Sequence, residues 1–299
     1  MLMVEKLFLW FLFYSCCGWV YESILVSVQQ RRPVNRGFLN GPLCPIYGTG
    51  AVLAVVLLGD VRSPVLVFLI SAFGASVLEY ATSWVMERLF HARWWDYSNF
   101  RFNLDGRICL LGAVVFGVGG VVITGVAQPQ VERWTDMLPL PAMHWLCVVF
   151  FLLLVIDTAV TVAGVADLDD RLDRMAEMMA RYGELARDAV GDAVADAQER
   201  LGQAADDVRS GVKAGVPGVV SGAVADAMAD AHDRLGERWQ AGRGMSVELM
   251  MRIRDAADSA LNFQQRRMIA SFPKLRTERH GETLAQLRDT LERLYRRGR

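Results

Sequence analysis

Five long apolar runs dominate the first part of the chain, at residues 7–28, 43–59, 64–86, 108–127 and 142–166. Crossing roughly 30 Å of hydrocarbon takes about 20 apolar residues in a helix, so the pattern predicts five transmembrane helices, the second of them the shortest. Beyond residue 166 the apolar positions change character. Leu168, Leu172, Met175, Met179, Tyr182 and Leu185 or Ala186 follow in steps of four and three among Asp, Glu and Arg, the spacing of an amphipathic or short coiled-coil helix. Farther along, that face is mostly alanine and valine, which bury little area. The expected fold is all-α: a polytopic membrane domain over residues 1–166, then a charged, Ala-rich helical or coiled-coil cytoplasmic tail over residues 167–299.

Composition sharpens this division. The chain is 53% hydrophobic with a mean hydropathy of +0.24, too apolar for a typical soluble protein. Of its 32 basic and 33 acidic side chains, 22 and 23 lie after residue 166. The first run is read as a retained helix, because only Lys6 precedes it among basic residues and no small-x-small cleavage site follows. Seven arginines fall in the connections after helices one and three (Arg31, Arg32, Arg36, Arg88, Arg93, Arg101, Arg107), against Lys6, Arg62 and Arg133 on the other side. Positive charge in short loops marks the cytoplasmic face; the N-terminus is therefore expected outside and the tail inside. Cys16, Cys17, Cys44, Cys109 and Cys147 all sit in or beside the spans, so they read as packing residues rather than a disulfide framework or metal site.

Glu22, Glu79 and Asp157 are the only acidic residues inside the five runs, and they lie in the first, third and fifth. Odd-numbered helices cross in one direction, which places these groups at one depth, roughly 5 to 7 Å to the cytoplasmic side of centre at 1.5 Å per residue. A carboxylate at a helix centre costs on the order of 2.5 to 3.5 kcal/mol on insertion scales. Arg107, Arg36 and Arg93 are the nearest cations able to offset it through paired hydrogen bonds. Two readings stand: pairs that fix helix register, or an ion, proton or solute site. Ser15, Trp19 and Glu22 on helix one, and Ser76, Glu79 or Tyr80, Ser83 and Glu87 on helix three, form polar stripes expected to face the bundle interior.

The two inner loops hold the remaining candidates. Residues 35–48, with Asn40 and Tyr47, carry two prolines and three of the chain's glycines after Arg36. Such a stretch breaks or delays a helix and frees backbone groups for binding, or it is a plain turn into a short helix. Residues 91–109 bring His91, Arg93, Trp94, Trp95, Asp96, Tyr97, Asn103 and Arg107 together. Paired tryptophans at a boundary suggest an aromatic belt, and the polar residues among them suggest a headgroup or solute site.

The runs YSCCGWVYE (14–22), NRGFLNGPLCPIYGTG (35–50) and LEYATSWVMERLFHARWWDYSNFRFNLDGRICL (78–110) resemble the bacterial membrane-protein family described as Putative ABC-transporter type IV, or CmpB-like permeases. The resemblance covers nearly the whole membrane half. It implies the membrane-spanning subunit of an ATP-driven transporter, with a separate ATP-binding subunit as partner. The positions matching its motifs are Glu22, Asn35, Arg36, Gly37, Asn40, Gly41, Pro42, Tyr47, Gly48, Glu79, Glu87, Trp95, Asp96, Tyr97, Asn103, Gly106 and Arg107. The chain itself offers no P-loop, since its only lysines, Lys6, Lys213 and Lys274, follow Glu, Val and Pro.

Glu22, Asn40, Tyr47, Glu79, Glu87, Trp95, Asp96, Tyr97, Asn103, Arg107 and Asp157 are accordingly the candidate solute-binding residues, with no cofactor expected. Two other functions compete. One is a membrane enzyme acting on a lipid or lipid-linked substrate, using Glu79, Glu87, His91 or Asp96 as acid and base, although no Ser/His/Asp spacing or HExxH pair is present. The other is a scaffold whose tail recruits partners or builds homo-oligomers. In the tail, residues 196–202 echo at 230–236, and Gly211, Gly215, Pro217 and Gly218 between them read as a hinge. Residues 266–299 hold ten basic side chains against four acidic, with Leu284, Leu287, Leu291 and Leu294 on one face. Contact with membrane lipids or self-association fits that stretch, and nucleic-acid binding does not, because the tail as a whole is net −1.

Overall fold

The computed structural model describes residues 2–213, 261–277 and 284. The chain up to Leu172 forms one compact unit with the stretch that begins at Leu261, while the chain from Asp173 to Ala260 belongs to a second. The first unit opens with helix α1 (Leu2–Gln30), followed by α2 (Pro45–Leu58) and α3 (Pro64–Phe90). Short strands β1 (Ala92–Arg93), β2 (Asn103–Leu104) and β3 (Ile108–Cys109) come next. Helix α4 (Leu110–Val122), a π-helical segment (Ile123–Ala127) and α5 (Gln128–Asp136) make one composite helix, and α6 (Leu140–Ala166) leads into α7 (Leu168–Lys213). After Leu261 come α8 (Phe263–Ser271) and strand β4 (Arg276–Thr277).

Among the described residues, four helices are long and apolar enough to cross a membrane: Leu2–Gln30, Pro64–Phe90, Leu110–Asp136 and Leu140–Met178. Helix α2, expected as the fifth, has 14 residues, or about 21 Å at 1.5 Å per residue. Its start is delayed by Pro42 and Pro45: Cys44, just ahead of it, is extended at φ −117°, and proline offers no N–H to a preceding turn.

The residues that α2 lacks are spent on an irregular segment that turns back along α1. Ser27 Oγ accepts from the Val34 N–H at 2.9 Å, Ser23 Oγ from the Arg36 N–H at 3.2 Å, and the Ser15 carbonyl from the Cys44 N–H at 2.9 Å. The Trp19 indole N–H meets the Asn35 side-chain oxygen at 2.7 Å. Ser15, Trp19, Ser23 and Ser27 recur every four residues, so they share one helical face and form a ladder that satisfies a backbone without a partner strand. Irregular backbone within an apolar bundle persists only where protein groups meet its hydrogen bonds.

Helix α2 then packs on α1 at close range. A Cβ on Gly18 would overlap the Tyr47 ring, and one on Gly48 would overlap Ser15 Oγ and the Phe11 carbonyl. Those two glycines let the helices approach and seat the Tyr47 ring against α1.

The π segment has a local cause. Pro129, near the start of α5, cannot donate to the turn before it and its ring crowds the carbonyl four residues back; the Gln128 N–H reaches back to the Ile123 carbonyl, five residues away. At this end of the bundle Tyr14 donates to Gln128 Oε1 at 3.0 Å, Trp10 to Thr135 Oγ1 at 3.2 Å, and Lys6 pairs with Asp136. Trp10, Tyr14, Ala51 and Val131 make a buried cluster beside them.

At the opposite end, β2 pairs with β3 (Asn103 with Cys109, Leu104 with Ile108) and β1 pairs antiparallel with β4 (Ala92 with Thr277, Arg93 with Arg276). Residues 261–277, the start of the stretch read as meeting lipid or a second copy of the chain, pack on the loops of the first unit. Of the stripe expected after residue 166, Leu168, Leu172 and Met175 are buried. The side chains of Met179, Tyr182 and Leu185, and the whole of the second copy of the internal echo, of hinge residues Gly215, Pro217 and Gly218 and of the leucines at 287, 291 and 294, lie outside what the structure describes, while Gly211 falls within α7.

Candidate functional site

The three carboxylates within the helices have different surroundings. Asp157, on α6, is met by four donors: the Asn40 N–H at 3.0 Å, the Asn40 side-chain amide at 3.1 Å, the Gly41 N–H at 2.8 Å and the Thr161 hydroxyl at 3.2 Å. It fastens the irregular segment 31–44 to α6, since two of those donors are backbone amides that lack a helical partner. Glu22, on α1, accepts one hydrogen bond, from the Tyr47 hydroxyl at 2.6 Å, and its second oxygen lies 3.9 Å from Arg36 Nε. Glu79, on α3, is buried and accepts from the Tyr97 hydroxyl at 3.0 Å.

Glu22 and Glu79 thus form a matched pair of carboxylate–phenol contacts from different elements. Both act on Tyr97. Burial, then the Glu79 charge and hydrogen bond, then the Glu22 charge push the Tyr97 phenol well above its ordinary value. Arg36 is the cation of this cluster, within electrostatic range of Glu22, Cys44, Tyr97 and Tyr47; burial lowers its affinity for its proton, and these neighbours work the other way. Its Nε is buried without a hydrogen-bond partner.

The other candidates make a second group nearer the loop surface. Glu87 pairs with Arg107, whose guanidinium also donates to Ser83 Oγ at 3.1 Å, and with Arg93 at 3.3 Å. Arg107 is therefore committed to Glu87, whereas the charge pattern placed it beside the deeper acids. Trp95 donates its indole N–H to the Arg107 carbonyl at 3.0 Å, and Tyr80 donates to Asp105 at 2.9 Å. Asp96 is buried; it accepts from the Ser98 amide at 3.0 Å and hydroxyl, and pairs with Arg276 at 2.7 Å. Burial raises the Asp96 carboxyl, but the Ser98 hydrogen bonds with the charges of Arg276 and Arg93 outweigh it and hold the group below the usual range. Asn103 is exposed and closes a turn, donating to the Phe100 carbonyl and accepting from the Gly106 N–H at 3.0 Å. His91 is exposed and ends α3 in the left-handed conformation, at φ 50°.

Two expectations shift. The α1 and α3 stripes are each met by a loop: Trp19 and Ser23 by residues 35 and 36, Glu79 by Tyr97, and Ser83 and Glu87 by Arg107. Trp94, read as part of an aromatic belt, is 2% exposed and packs edge-on against Phe38, Phe90 and Phe272. Its neighbour Phe272 belongs to a part of the chain some 180 residues away, which local patterning cannot see.

Residues that sequence reasoning missed are the ones that hold the segment 31–44 in place: Ser23, Ser27, Thr161 and Arg267. Arg267 donates to the Gly37 and Phe38 carbonyls, each at 2.9 Å. The serines had a legible trace in their four-residue spacing with Ser15 and Trp19; Arg267 had none, being one arginine in a basic stretch.

Comparison with curated proteins and with solved structures finds no match. The sequence profile of the family described as Putative ABC-transporter type IV matches residues 9–162, which takes in the segment 31–44, the loop 91–109 and all three carboxylates. Matching more than half of the chain, and joined to four helices able to cross a membrane, it shows that this protein belongs to the Putative ABC-transporter type IV family of membrane proteins.

Proposed function

We propose that the chain is the membrane-spanning subunit of an ATP-driven transporter and binds a small solute at the cluster of Glu22, Tyr47, Glu79, Tyr97 and Arg36. The observation that supports this best is the contrast among the three acids. Asp157 is saturated with donors and so reads as structural, whereas Glu22 and Glu79 each keep a single phenol. Acidic groups held within apolar helices are costly and commonly mark an ion or solute path. With the orientation expected from loop charge, this polar layer lies in the cytoplasmic half of the bilayer, the N-terminus is outside the cell, and the tail is inside, where it meets partners or a second copy of the chain. Hydrolysis requires a separate ATP-binding subunit.

A lipid-directed enzyme draws less support. Two of its acid-base candidates, Glu87 and Asp96, are engaged in ion pairs with arginines, and His91 caps a helix. The test is affinity purification of the full chain from native membranes. Recovery of a nucleotide-binding chain with ATP hydrolysis supports the transporter reading; recovery without any such chain rules out its ATP-driven form.

A further inference from the structure

We propose that residues 261–277 are a latch: they close the loop end of the bundle over the Glu22–Glu79 cluster, and they release to admit a ligand from that end. Nothing in residues 9–162 accounts for this stretch, yet it is built into the first unit at five places. Asn262 begins α8 with a capping box to Gln265 and donates to the Gly164 carbonyl at the end of α6, at 2.9 Å. Gln264 reaches Thr161, the same hydroxyl that meets Asp157. Arg267 holds the Gly37 and Phe38 carbonyls, and Arg32 from the other side holds the Ala270 carbonyl at 3.0 Å. Strand β4 pairs with β1 and carries Arg276 onto Asp96.

The anchoring points are the supports of the cluster. Arg267 grips the outer limb of segment 31–44, whose Arg36 faces Glu22; β4 grips the loop whose Tyr97 faces Glu79. Between them Phe272 inserts against Trp94, ring centroids 5.1 Å apart, and lies under the Arg36 guanidinium at 3.7 Å. Arg36 is the coupling residue, with Glu22 on one side and the Phe272 face on the other. A ligand that changes the Arg36–Glu22 contact changes the hold on Phe272, and by linkage the latch changes affinity for that ligand to the same degree.

Polar contacts set where this latch docks, and buried Leu261, Met268, Ile269, Phe272 and Leu275 pack beneath them.

The experiment follows the native thiols of the full-length protein in detergent. Cys44 ends the segment whose Gly37 and Phe38 carbonyls Arg267 holds, and it is buried; Cys147 is buried at the far end, where its thiol contacts the Glu5 carbonyl. The rate at which a polar maleimide alkylates each is read by peptide mass spectrometry. In Arg267→Ala/Phe272→Ala protein, Cys44 is expected to react at least tenfold faster than in wild type while Cys147 keeps its rate. Adding Ala92→Cys/Thr277→Cys, across the β1–β4 pair, is expected to restore slow labelling of Cys44 when oxidised and to lose that protection on reduction. Equal Cys44 rates in wild type and variant, a rise at Cys147 to match, or indifference to the engineered disulfide would each overturn the latch. Because the readout needs no solute, it is decided separately from the transport reading.

Discussion

Asp157 shows how a carboxylate inside an apolar helix can be structural. Its partners include the amides of Asn40 and Gly41, and removing it strands two part-buried N–H groups, each costing at most about 1–3 kcal/mol. Asp157→Ala is expected to lower stability by about 3 kcal/mol, with Asp157→Asn, which keeps one acceptor oxygen, losing less; thermal unfolding in detergent measures both. Glu22→Gln and Glu79→Gln preserve the tyrosine hydrogen bonds and are expected to change stability by less than about 1 kcal/mol while abolishing solute response. Asp96 sets the acid limit of the latch. Its folded carboxyl lies below the ordinary value because Ser98, Arg276 and Arg93 favour the charge. Its contribution is therefore complete above about pH 4, where a free aspartate titrates, and is lost only as pH falls through the lower folded value. Hydrogen exchange of residues 261–277 should show docking maintained at neutral pH and released in stronger acid, a dependence that Asp96→Asn removes. The acids and most of their neighbours were legible residue by residue, because charge inside an apolar run is conspicuous. Their pairings were not, since the same arginines could serve several acids: Arg107 went to Glu87, and Arg36 to Glu22.

At the level of elements, the segment 31–44 organises the site. Its prolines and glycines left open a broken helix or a turn into a short one, and the structure supplies what spacing alone could not: an irregular path back along α1 on Ser15, Trp19, Ser23 and Ser27 into the short α2. From Ser27 to Ser15 that return covers 12 residues of helix, about 18 Å. Helix α2 is short for this reason. Its contact with α1 depends on Gly18 and Gly48; Gly48→Val is expected to force the helices apart, with an overpacking cost of about 1–3 kcal/mol and loss of the Tyr47–Glu22 hydrogen bond. Unfolding midpoints of Gly48→Val and Gly48→Val/Tyr47→Phe should then coincide, because the second change removes a contact already broken. The latch also left a local trace. Asn262 and Gln265 have the spacing of a capping box, which fixes where α8 begins, but pairing between residues 92 and 277 is a long-range event that no window of sequence encodes.

For the molecule as a whole, composition changes at residue 166, the compact units divide after Leu172, and the chain from Leu261 belongs again to the first of them. Apolar helices make up most of the first unit, and the charged stretch from Leu261 returns to finish its loop end. The family match takes in the pair of carboxylates held by the phenols of Tyr47 and Tyr97. The most direct test is ATP hydrolysis by the protein purified with its partner from native membranes, titrated with small-molecule fractions of the cell, in wild type and in Glu22→Gln/Glu79→Gln. The wild-type complex should be stimulated by one fraction and the double variant, equally folded and equally associated, should not respond to it. Identical stimulation of the two would remove the carboxylate pair from any part in solute binding.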